Sequence, residues 1–428
     1  MAIDMDYAYG TIRDLLDSRV GSAFDYTRNE RACPGLSDRD LVGEGIRRVL
    51  SHADSGRDWL QQTAEKNLGQ ATRGTFFPAL HSERRRQMVD DVALAFTRAA
   101  AAELAELGID HLAAFPELAD YRCIAADGHT IEHASHAERR PSGNHNPVSC
   151  IYALDLRCGL PRSFAQVSGD GRRRHEWPVF ERTLLSIEEP HAGMAGTIHV
   201  LDRAYIDNLF WSLHAKRSHH YIVTRMKSNM KPLMRAPLEF DRDDPVNAGV
   251  VGYYHVGFNN ASTMYLIVYE DPETGEPYEF LSTVPGIRPG LAAWLYFLRW
   301  KIEKTFDTFK NDFDECKAWA NGENANAVQS ACVAMAYCFC RIVERRLGAD
   351  HGIEDEKVQR KFDKELAARE RQAEAAGRAV HPLHRATQAH RLAKLSAQFI
   401  RTLRNHLFSH KPVLALLGAF SAALRSYM

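Results

Sequence analysis

The chain changes its hydrophobic periodicity near residue 115, and this change constrains the fold of its 428 residues more than any other feature. Before that point, segments such as 40–53 and 87–108 carry apolar residues at helical spacing. After it come short alternating runs, rich in apolar or β-branched residues and joined by turn signals. The two patterns need different backbone periods, so we predict a helical N-terminal domain over 1–115 followed by an α/β domain.

The α/β part of the sequence predicts strands with helices between them. Three strand-like runs come first and predict consecutive antiparallel strands: 121–134, 149–159 and 162–169. After a helix-like stretch, residues 197–216 have the pattern of a buried strand that passes into a helix near Ala204. Four further strand-like runs between 219 and 285 indicate a β-rich insertion, which we place at 218–287.

The last third of the sequence is predicted to be helical. Pro289 precedes one long helix over 290–313, since proline is favoured in the first turn of a helix. A second, almost wholly apolar helix follows at 323–347. The highly charged segment 353–380 is either an exposed helix or a flexible connector, and helical spacing returns towards residue 428.

The composition is typical of a folded, reduced, cytoplasmic protein. With 45% hydrophobic residues, the chain can give each of two or three domains a core. No run of eighteen apolar residues occurs, and the N-terminus lacks the basic start and apolar stretch of a secretory signal, so we expect no membrane partner. The eight cysteines form no CxxC pair, which predicts reduced and mostly buried thiols.

Charge does not decide whether the chain binds nucleic acid. The formal net charge is −1, whereas nucleic-acid-binding domains often carry an obvious basic excess. Arginines nevertheless cluster at three places: 84–86, 139–140 and 172–174. Each cluster is either a solvated surface run or a phosphate site, and the first is the commoner case.

A narrow polar stripe runs along the helix predicted over 290–313. Tyr296, Arg299, Glu303 and Lys310 stand at relative positions 0, 3, 7 and 14. At 3.6 residues per turn they fall within a stripe roughly 60° wide, while the flanking positions are apolar. The stripe either faces a specific partner or is a solvated face held by an Arg299–Glu303 pair, and the helix alone leaves both open.

Two aspartates in apolar, strand-like surroundings favour the first alternative. Asp127 lies in one predicted strand and Asp202 ends another. A carboxylate in such a place is costly unless it is paired or bound to a cation, although an isolated one is often a turn or cap residue. Strand aspartate, strand aspartate and helix glutamate, here Glu303, are what a two-metal phosphoryl-transfer site requires. Their hard oxygen ligands suit two Mg²⁺ or Mn²⁺ ions.

With these residues in view, the chain resembles the DDE transposases of bacterial insertion sequences, in particular the insertion-sequence-four family. The Tyr-x2-Arg-x3-Glu-x6-Lys signature of that family stands unbroken from Tyr296 to Lys310. The sequences Ala-Asp-Gly at Asp127 and Leu-Asp-Arg-Ala-Tyr at Asp202 agree with it as well. The resemblance implies an α/β fold whose RNase H-like core spans 116–345 and contains the β-rich insertion.

The resemblance also implies the parts around that core and the role of each site residue. The segment 1–115 would be a helical DNA-binding domain, and 346–428 a helical region that contributes to dimerisation. The carboxylates of the triad would be both catalytic residues and metal ligands: Asp127, Asp202 and Glu303. The DNA-binding residues would be Arg299 and Lys310 at phosphates, Tyr296 at a terminal nucleotide, and Trp300.

A cut-and-paste transposase of this kind acts on double-stranded DNA, as transposon ends and as target, and assembles as a homodimer. It would work in the bacterial cytoplasm, at the nucleoid. Relatives with this signature cut the second strand through a DNA hairpin, and an aromatic residue such as Trp300 or Trp294 could stack on the base displaced there.

Three positions leave alternatives open. His129 stands two residues after Asp127, where the family usually has a small hydroxyl residue, so it either approaches the metals or DNA or is a harmless substitution. Asp307 lies one turn past Glu303 and could replace it as the third ligand, although the signature spacing favours Glu303. Trp300 is either a core residue or a base-stacking one.

Two other functions share the same sequence features. A domesticated relative would use the fold for DNA binding or regulation without cutting, but the intact triad and unbroken signature speak against it. An RNase H-like nuclease without transposition would share the metal chemistry. Cleavage assays with and without a strand-transfer target would separate it from a transposase.

Overall fold

The computed structural model is a mixed α/β structure in which helices pack against a large sheet, in agreement with the predicted class. It describes residues 10–26, 30–51, 53–65, 69, 71–131, 148–167, 176–184, 193–259, 262–313, 315, 317–351, 356–386, 397–409, 411–413 and 415. The arginine clusters at 139–140 and 172–174 and the thiol of Cys316 lie outside the described residues.

The described chain before residue 115 is helical, as predicted. Its α-helices are α1 (Ile12–Phe24), α2 (Asp38–Val49), α3 (Gly56–Glu65), α4 (Arg73–Ala79) and α5 (Glu83–Glu106). The side chains of Thr11, Ser37 and Ser82 accept hydrogen bonds from the backbone N–H groups at the third positions of α1, α2 and α5. These caps satisfy donors that a helix start leaves unpaired, which fixes where the three helices begin.

The arginine cluster at 84–86 stabilises this helical region. Arg84 donates to both oxygens of the buried Asp38 at 2.8 Å, and the Nε of Arg85 lies 3.4 Å from the same carboxylate. Arg86 pairs with acidic side chains of its own helix, α5. The cluster is therefore a set of intramolecular ion pairs, which neither alternative drawn from the sequence had included.

One sheet of nine strands runs through the described part of the chain. The strands are β1 (Tyr121–Ile131), β2 (Val148–Asp155), β3 (Pro161–Val167), β4 (Gly196–Leu201), β5 (His220–Arg225), β6 (Met234–Pro237), β7 (Val250–Gly257), β8 (Thr263–Glu270) and β9 (Pro277–Ser282). Their order across the sheet is β3-β2-β1-β4-β5-β9-β8-β7-β6. The first three are antiparallel, as predicted, while β4 is parallel to β1 and β5 is parallel to β4.

The strands between 219 and 285 extend this sheet. β9 pairs antiparallel with β5, and β8, β7 and β6 follow it outwards. The sequence predicted β5, β7, β8 and β9 but not β6. β6 is a short edge strand with mostly exposed residues, so it has no alternating apolar pattern that could reveal it.

The remaining α-helices surround the sheet or follow it. They are α6 (Glu176–Leu184), α7 (Asn208–Arg217), α8 (Pro289–Arg299), α9 (Lys301–Asn311), α10 (Glu323–His351), α11 (Glu356–Ala375), α12 (Pro382–Ala386) and α13 (Ala397–Leu407). Of the two alternatives for 353–380, the helix is right, since α11 occupies most of that segment.

The single long helix predicted over 290–313 is wrong, because the chain forms α8 and α9 with a break at Trp300. There the N–H of Trp300 bonds to the carbonyl of Phe297, three residues back, at 3.3 Å, which tightens the last turn of α8. α8 is buried on nearly every side, whereas α9 buries only one face. Sequence periodicity did not predict the break because it arises from these two packing environments.

α10 is the central helix of the molecule. α5, α2 and β3 pack against it, so one hydrophobic core joins the N-terminal helices to the sheet. By length and composition α10 could cross a membrane, but its most apolar window is 100% buried inside the protein, as in a core helix. The seven described cysteines are free and six of them are buried, as expected, including Cys338 and Cys340 of α10. The domain boundaries at 115 and 345 stay predictions.

Candidate active site

Asp127 and Asp202 lie side by side on neighbouring parallel strands. Ala126 of β1 pairs with Leu201, the last residue of β4, and an aspartate follows each of these two residues in the chain. Because side chains alternate along a strand, both aspartates share a face with Ala125, which belongs to the core cluster that includes α8, α9 and α10. Two adjacent strands therefore carry the two carboxylates towards the helices that bear the polar stripe.

Arg299, at the end of α8, joins the first aspartate to the glutamate. Its Nη1 donates to Asp127 Oδ2 at 2.9 Å, and its Nη2 lies 3.6 Å from Glu303 Oε1. A guanidinium that is only 6% exposed is stable when carboxylates compensate its charge, and these two do so. The structure thus brings Asp127, Arg299 and Glu303 together.

Tyr296 reaches the second aspartate. Its hydroxyl lies 3.5 Å from Asp202 Oδ1, which is a weak hydrogen bond, and its ring packs against Phe280 with centroids 5.1 Å apart. Burial raises the pKa of Tyr296, so the phenol stays protonated and donates. In this structure, Tyr296 and Arg299 are buried and engaged with the carboxylates.

Glu303 is the carboxylate of α9 that faces the site. It lies in the first turn of α9, and its side chain is 48% exposed. Asp307, one turn later, is 59% exposed and pairs with Lys304 at 3.1 Å. That pairing favours Glu303 over Asp307 as the third carboxylate. Lys310 is exposed in the last turn of the same helix.

The two tryptophans considered for base stacking differ sharply. Trp300 is 59% exposed at the break between α8 and α9, so the interpretation of this residue as a core residue is wrong and its ring is accessible beside Arg299. Trp294 is buried within α8 and stacks on His381 with ring centroids 5.7 Å apart. Trp294 is therefore a core residue, and stacking it on a displaced base would require α8 to move.

His129 points to the same face as Asp127 but lies in the core. Its Nε2 is 3.2 Å from Oε2 of the buried Glu315, and its ring centroid is 4.9 Å from that of Phe306. The other oxygen of Glu315 accepts the hydroxyl of Tyr152 at 2.8 Å. Burial of His129 beneath Phe306 and Phe309 of α9 favours the second alternative, a substitution that fills core space.

The three carboxylates suit a divalent cation by their chemistry, since Mg²⁺ and Mn²⁺ prefer such oxygen ligands. Arg299 contributes the positive charge between Asp127 and Glu303 in this structure. Within the described residues, no three His, Cys, Asp or Glu side chains converge into a finished metal cage. The residues therefore fit as a donor set that an ion would complete after Arg299 has left Asp127.

Two groups of residues near the site were missed from the sequence. Glu315 and Tyr152 complete the buried cluster at His129, and no local pattern links residues so far apart in the chain. Arg48 of α2 lies in an aromatic cage. A signal for it existed, because Arg48 stands seven residues after Leu41 and hence on the apolar face of that helix.

Comparisons with known proteins identify the family of the chain. A family model described as the transposase DDE domain matches residues 118–339, just over half of the chain. No curated protein matches. Six solved chains do, and one is the cryo-EM structure of a piggyBac transposase synaptic complex with hairpin DNA, at 12% identity over 95% of this chain and 82% of that one. Its TM-score of 0.38 is too low to carry an argument.

Proposed function

Because this chain belongs to the transposase DDE domain family, it is a transposase, and we propose that it cuts and joins the terminal inverted repeats of an insertion sequence by a cut-and-paste route. The observation that carries the proposal is the placement of Asp127 and Asp202 on adjacent parallel strands, with Arg299 linking Asp127 to Glu303. Two-metal phosphoryl transfer needs such a cluster of carboxylates to hold the ions. We assign the catalytic and metal-binding roles to Asp127, Asp202 and Glu303.

An RNase H-like core for this protein is part of the proposal. Its support is the strand order: antiparallel β3, β2 and β1 continue into parallel β4 and β5. The two aspartates stand on β1 and after β4, at the centre of this five-stranded part, and the glutamate comes from a following helix. We also propose that the enzyme acts in the bacterial cytoplasm as a homodimer, because joining two element ends in one reaction requires two sites in one complex.

Two Mg²⁺ or Mn²⁺ ions held by the triad would activate the attacking oxygen and stabilise the leaving one. The protein's own residues prepare for this. The guanidinium of Arg299 holds Asp127 and Glu303 in place before DNA arrives, and it then turns to a phosphate near the scissile bond. Lys310, exposed on α9, neutralises a neighbouring phosphate, while Tyr296 turns its hydroxyl from the weak contact with Asp202 to a terminal nucleotide.

A single triad must cut two strands of opposite polarity, and we propose a hairpin route for it. The 3′-hydroxyl freed by the first cut attacks the opposite strand, which closes the element end into a hairpin that water then opens. One terminal base must leave the stack, at a cost of a few kcal/mol. The exposed ring of Trp300 stands beside Arg299 and can stack on that base.

The proposal is tested with a duplex that carries the element's own terminal repeat, identified in the DNA flanking the gene. We expect cleavage and strand transfer in Mg²⁺ or Mn²⁺ and neither reaction in Ca²⁺, whose looser coordination misplaces the attacking water. Cleavage without transfer to any target would identify a nuclease. End binding without cleavage would identify a domesticated DNA-binding protein, and efficient cleavage in a chelator would contradict the metal mechanism.

The hairpin step is tested separately with Tyr296→Ala and Arg299→Ala. We expect both variants to make the first nick but to accumulate nicked or hairpin species on a denaturing gel. Equal loss of nicking and hairpin formation would mean that the two residues only support the carboxylates. The absence of a hairpin from wild-type reactions would contradict the route itself.

A further inference from the structure

A cavity of about 1190 Å³ lies between the N-terminal helices and the segment that follows α9. Its walls come from the end of α2, the start of α3, α4, Phe313 and residues 317–321. Pockets for small organic ligands have volumes of roughly 300–1,000 Å³, so this one can hold a group of nucleotide size. Phe313 lies just beyond the end of α9 at Asn311, and the helix spans roughly 12 Å from Glu303 to that end.

The rim of this cavity is cationic. Arg57, Arg73 and Lys317 line it and are exposed. Asp54 is the single acidic residue among the described lining residues. Neither Arg57 nor Arg73 has a carboxylate partner in the part of the chain that the structure describes, which distinguishes them from the arginines at 84–86. A concave surface with this charge attracts anions.

Arg48 lies at the back of the cavity inside an aromatic cage. Its guanidinium carbon is 4.4 Å from the ring centre of Trp319 and 5.2 Å from that of Phe77, with Trp59 and Phe76 at 5.7 and 5.8 Å. Burial lowers the pKa of Arg48 to about 9. Its Nη1 is buried and has no hydrogen-bond partner among the described residues. A buried donor without a partner is costly, and an anion in the cavity would supply one.

Gly56, the first residue of α3, fits closely against this group. A Cβ atom at position 56 would lie 2.9 Å from Arg48 Nη2 and 2.5 Å from Phe77 Cζ. Any side chain at this position would therefore displace the guanidinium or the ring. The guanidinium of Arg48 and the ring of Phe77 can occupy these positions only because residue 56 is glycine.

We propose that the cavity binds one unpaired nucleotide of a DNA strand. The base stacks on the partly exposed rings of Trp319 and Phe77, and the phosphates lie against Arg48 and the cationic rim. Proteins hold single strands with aromatic side chains on which the bases stack and with cationic side chains beside them. A duplex cannot bind in this way, because its bases are already stacked and paired. This contact is additional to the proposed function and rests on DNA being the substrate, but it requires no cleavage.

The test measures fluorescence anisotropy of a labelled oligothymidylate in a chelator, at a series of salt concentrations. For the full-length double variant Arg57→Ala/Arg73→Ala we expect binding roughly tenfold weaker at low salt. The slope of log K against log salt should fall by about 0.7 for each phosphate that the variant no longer neutralises. The control is Arg235→Ala/Arg371→Ala, which removes two exposed arginines outside the cavity and should leave affinity and slope unchanged.

A second variant tests stacking rather than charge. We expect Trp319→Leu to weaken binding roughly 5- to 100-fold while changing the salt slope little. The melting temperature of Trp319→Leu shows whether this variant folds. The test with the rim variant is valid whether or not Trp319→Leu folds. Wild-type affinity and slope in the rim variant, or a loss of duplex binding in Trp319→Leu as large as its loss of oligothymidylate binding, would overturn the proposal. If the wild-type protein does not cleave a terminal-repeat duplex, the proposed function is contradicted, but the binding measurement still tests the cavity.

Discussion

The two faces of the sheet around β1, β4 and β5 stabilise polar side chains in different ways. On the face towards α8 and α9, opposite charges compensate each other, as Arg299 does with Asp127. On the other face, His199 Nε2 and His220 Nδ1 lie 3.0 Å apart in surroundings that include the ring of Trp211. Burial lowers the pKa of His220 to about 4 and that of His199 well below its usual range. That face therefore keeps its histidines neutral.

The difference shows which face carries chemistry. Paired charges beside a half-exposed glutamate can exchange partners when a phosphate and a metal ion arrive, because each charged group then has an opposite charge beside it again. Neutral histidines buried among aromatic rings carry no charge whose partner could be exchanged. His129 belongs to the first face yet is sealed by Phe306, so the boundary of the site runs between Asp127 and His129.

A large effect on stability is expected where the buried side chain of His129 is removed. His129→Ala leaves a cavity beneath Phe306 and removes the neighbour of the buried Glu315, so we expect the free energy of unfolding to fall by about 2–5 kcal/mol in urea denaturation. The control is Asp307→Ala, which removes the exposed pair with Lys304 and should change stability very little. A decrease below about 1 kcal/mol for His129→Ala would mean that the contact with Glu315 does not stabilise the fold.

A smaller, pH-dependent effect is expected on the opposite face. The folded-state pKa of His220, about 4, lies below its ordinary value, so the unfolded chain binds the proton first as pH falls. The contribution of neutral His220 to the free energy of unfolding is present above pH 6.5 and is lost towards pH 4. When the pH is lowered from 7 to 5, we expect the free energy of unfolding of wild type to fall by about 2 kcal/mol more than that of His220→Asn. Equal losses would contradict a neutral His220.

The smallest effect is expected at the rim of the first face. Trp300→Ala removes an exposed ring and should change the free energy of unfolding by no more than about 0.5 kcal/mol. Trp294→Ala, on the same helical segment but buried, should cost about 3–5 kcal/mol. Comparable losses in the two variants would show that Trp300 packs into the core in solution, which would remove it as a base-stacking residue.

The sequence predicted those parts of the fold and site that depend on local pattern. The alternation in the strands identified the surroundings of Asp127 and Asp202, and the spacing from Tyr296 to Lys310 identified the polar stripe. It did not predict the break at Trp300, because propensity and periodicity continue across it. Whether two strands become parallel neighbours also depends on the whole sheet.

Contacts between residues distant in the chain could not be predicted either. Arg299 was expected at a DNA phosphate, and its contact with Asp127 joins positions 172 residues apart. The pair of His129 with Glu315 and the cage around Arg48 depend in the same way on how separate elements pack. The spacing within α2 places Arg48 on the apolar face of that helix, but it does not indicate which side chains of other elements surround it.

The most direct test of the triad is cleavage of a terminal-repeat duplex in Mg²⁺ by four alanine variants: Asp127→Ala, Asp202→Ala, Glu303→Ala and Asp307→Ala. We predict that the first three variants retain at most a few per cent of wild-type cleavage and still bind the DNA end, because these substitutions remove metal ligands and not DNA contacts. Asp307→Ala should cleave at nearly the wild-type rate. Substantial cleavage by Glu303→Ala together with loss of cleavage in Asp307→Ala would contradict the assignment of Glu303 as the third carboxylate.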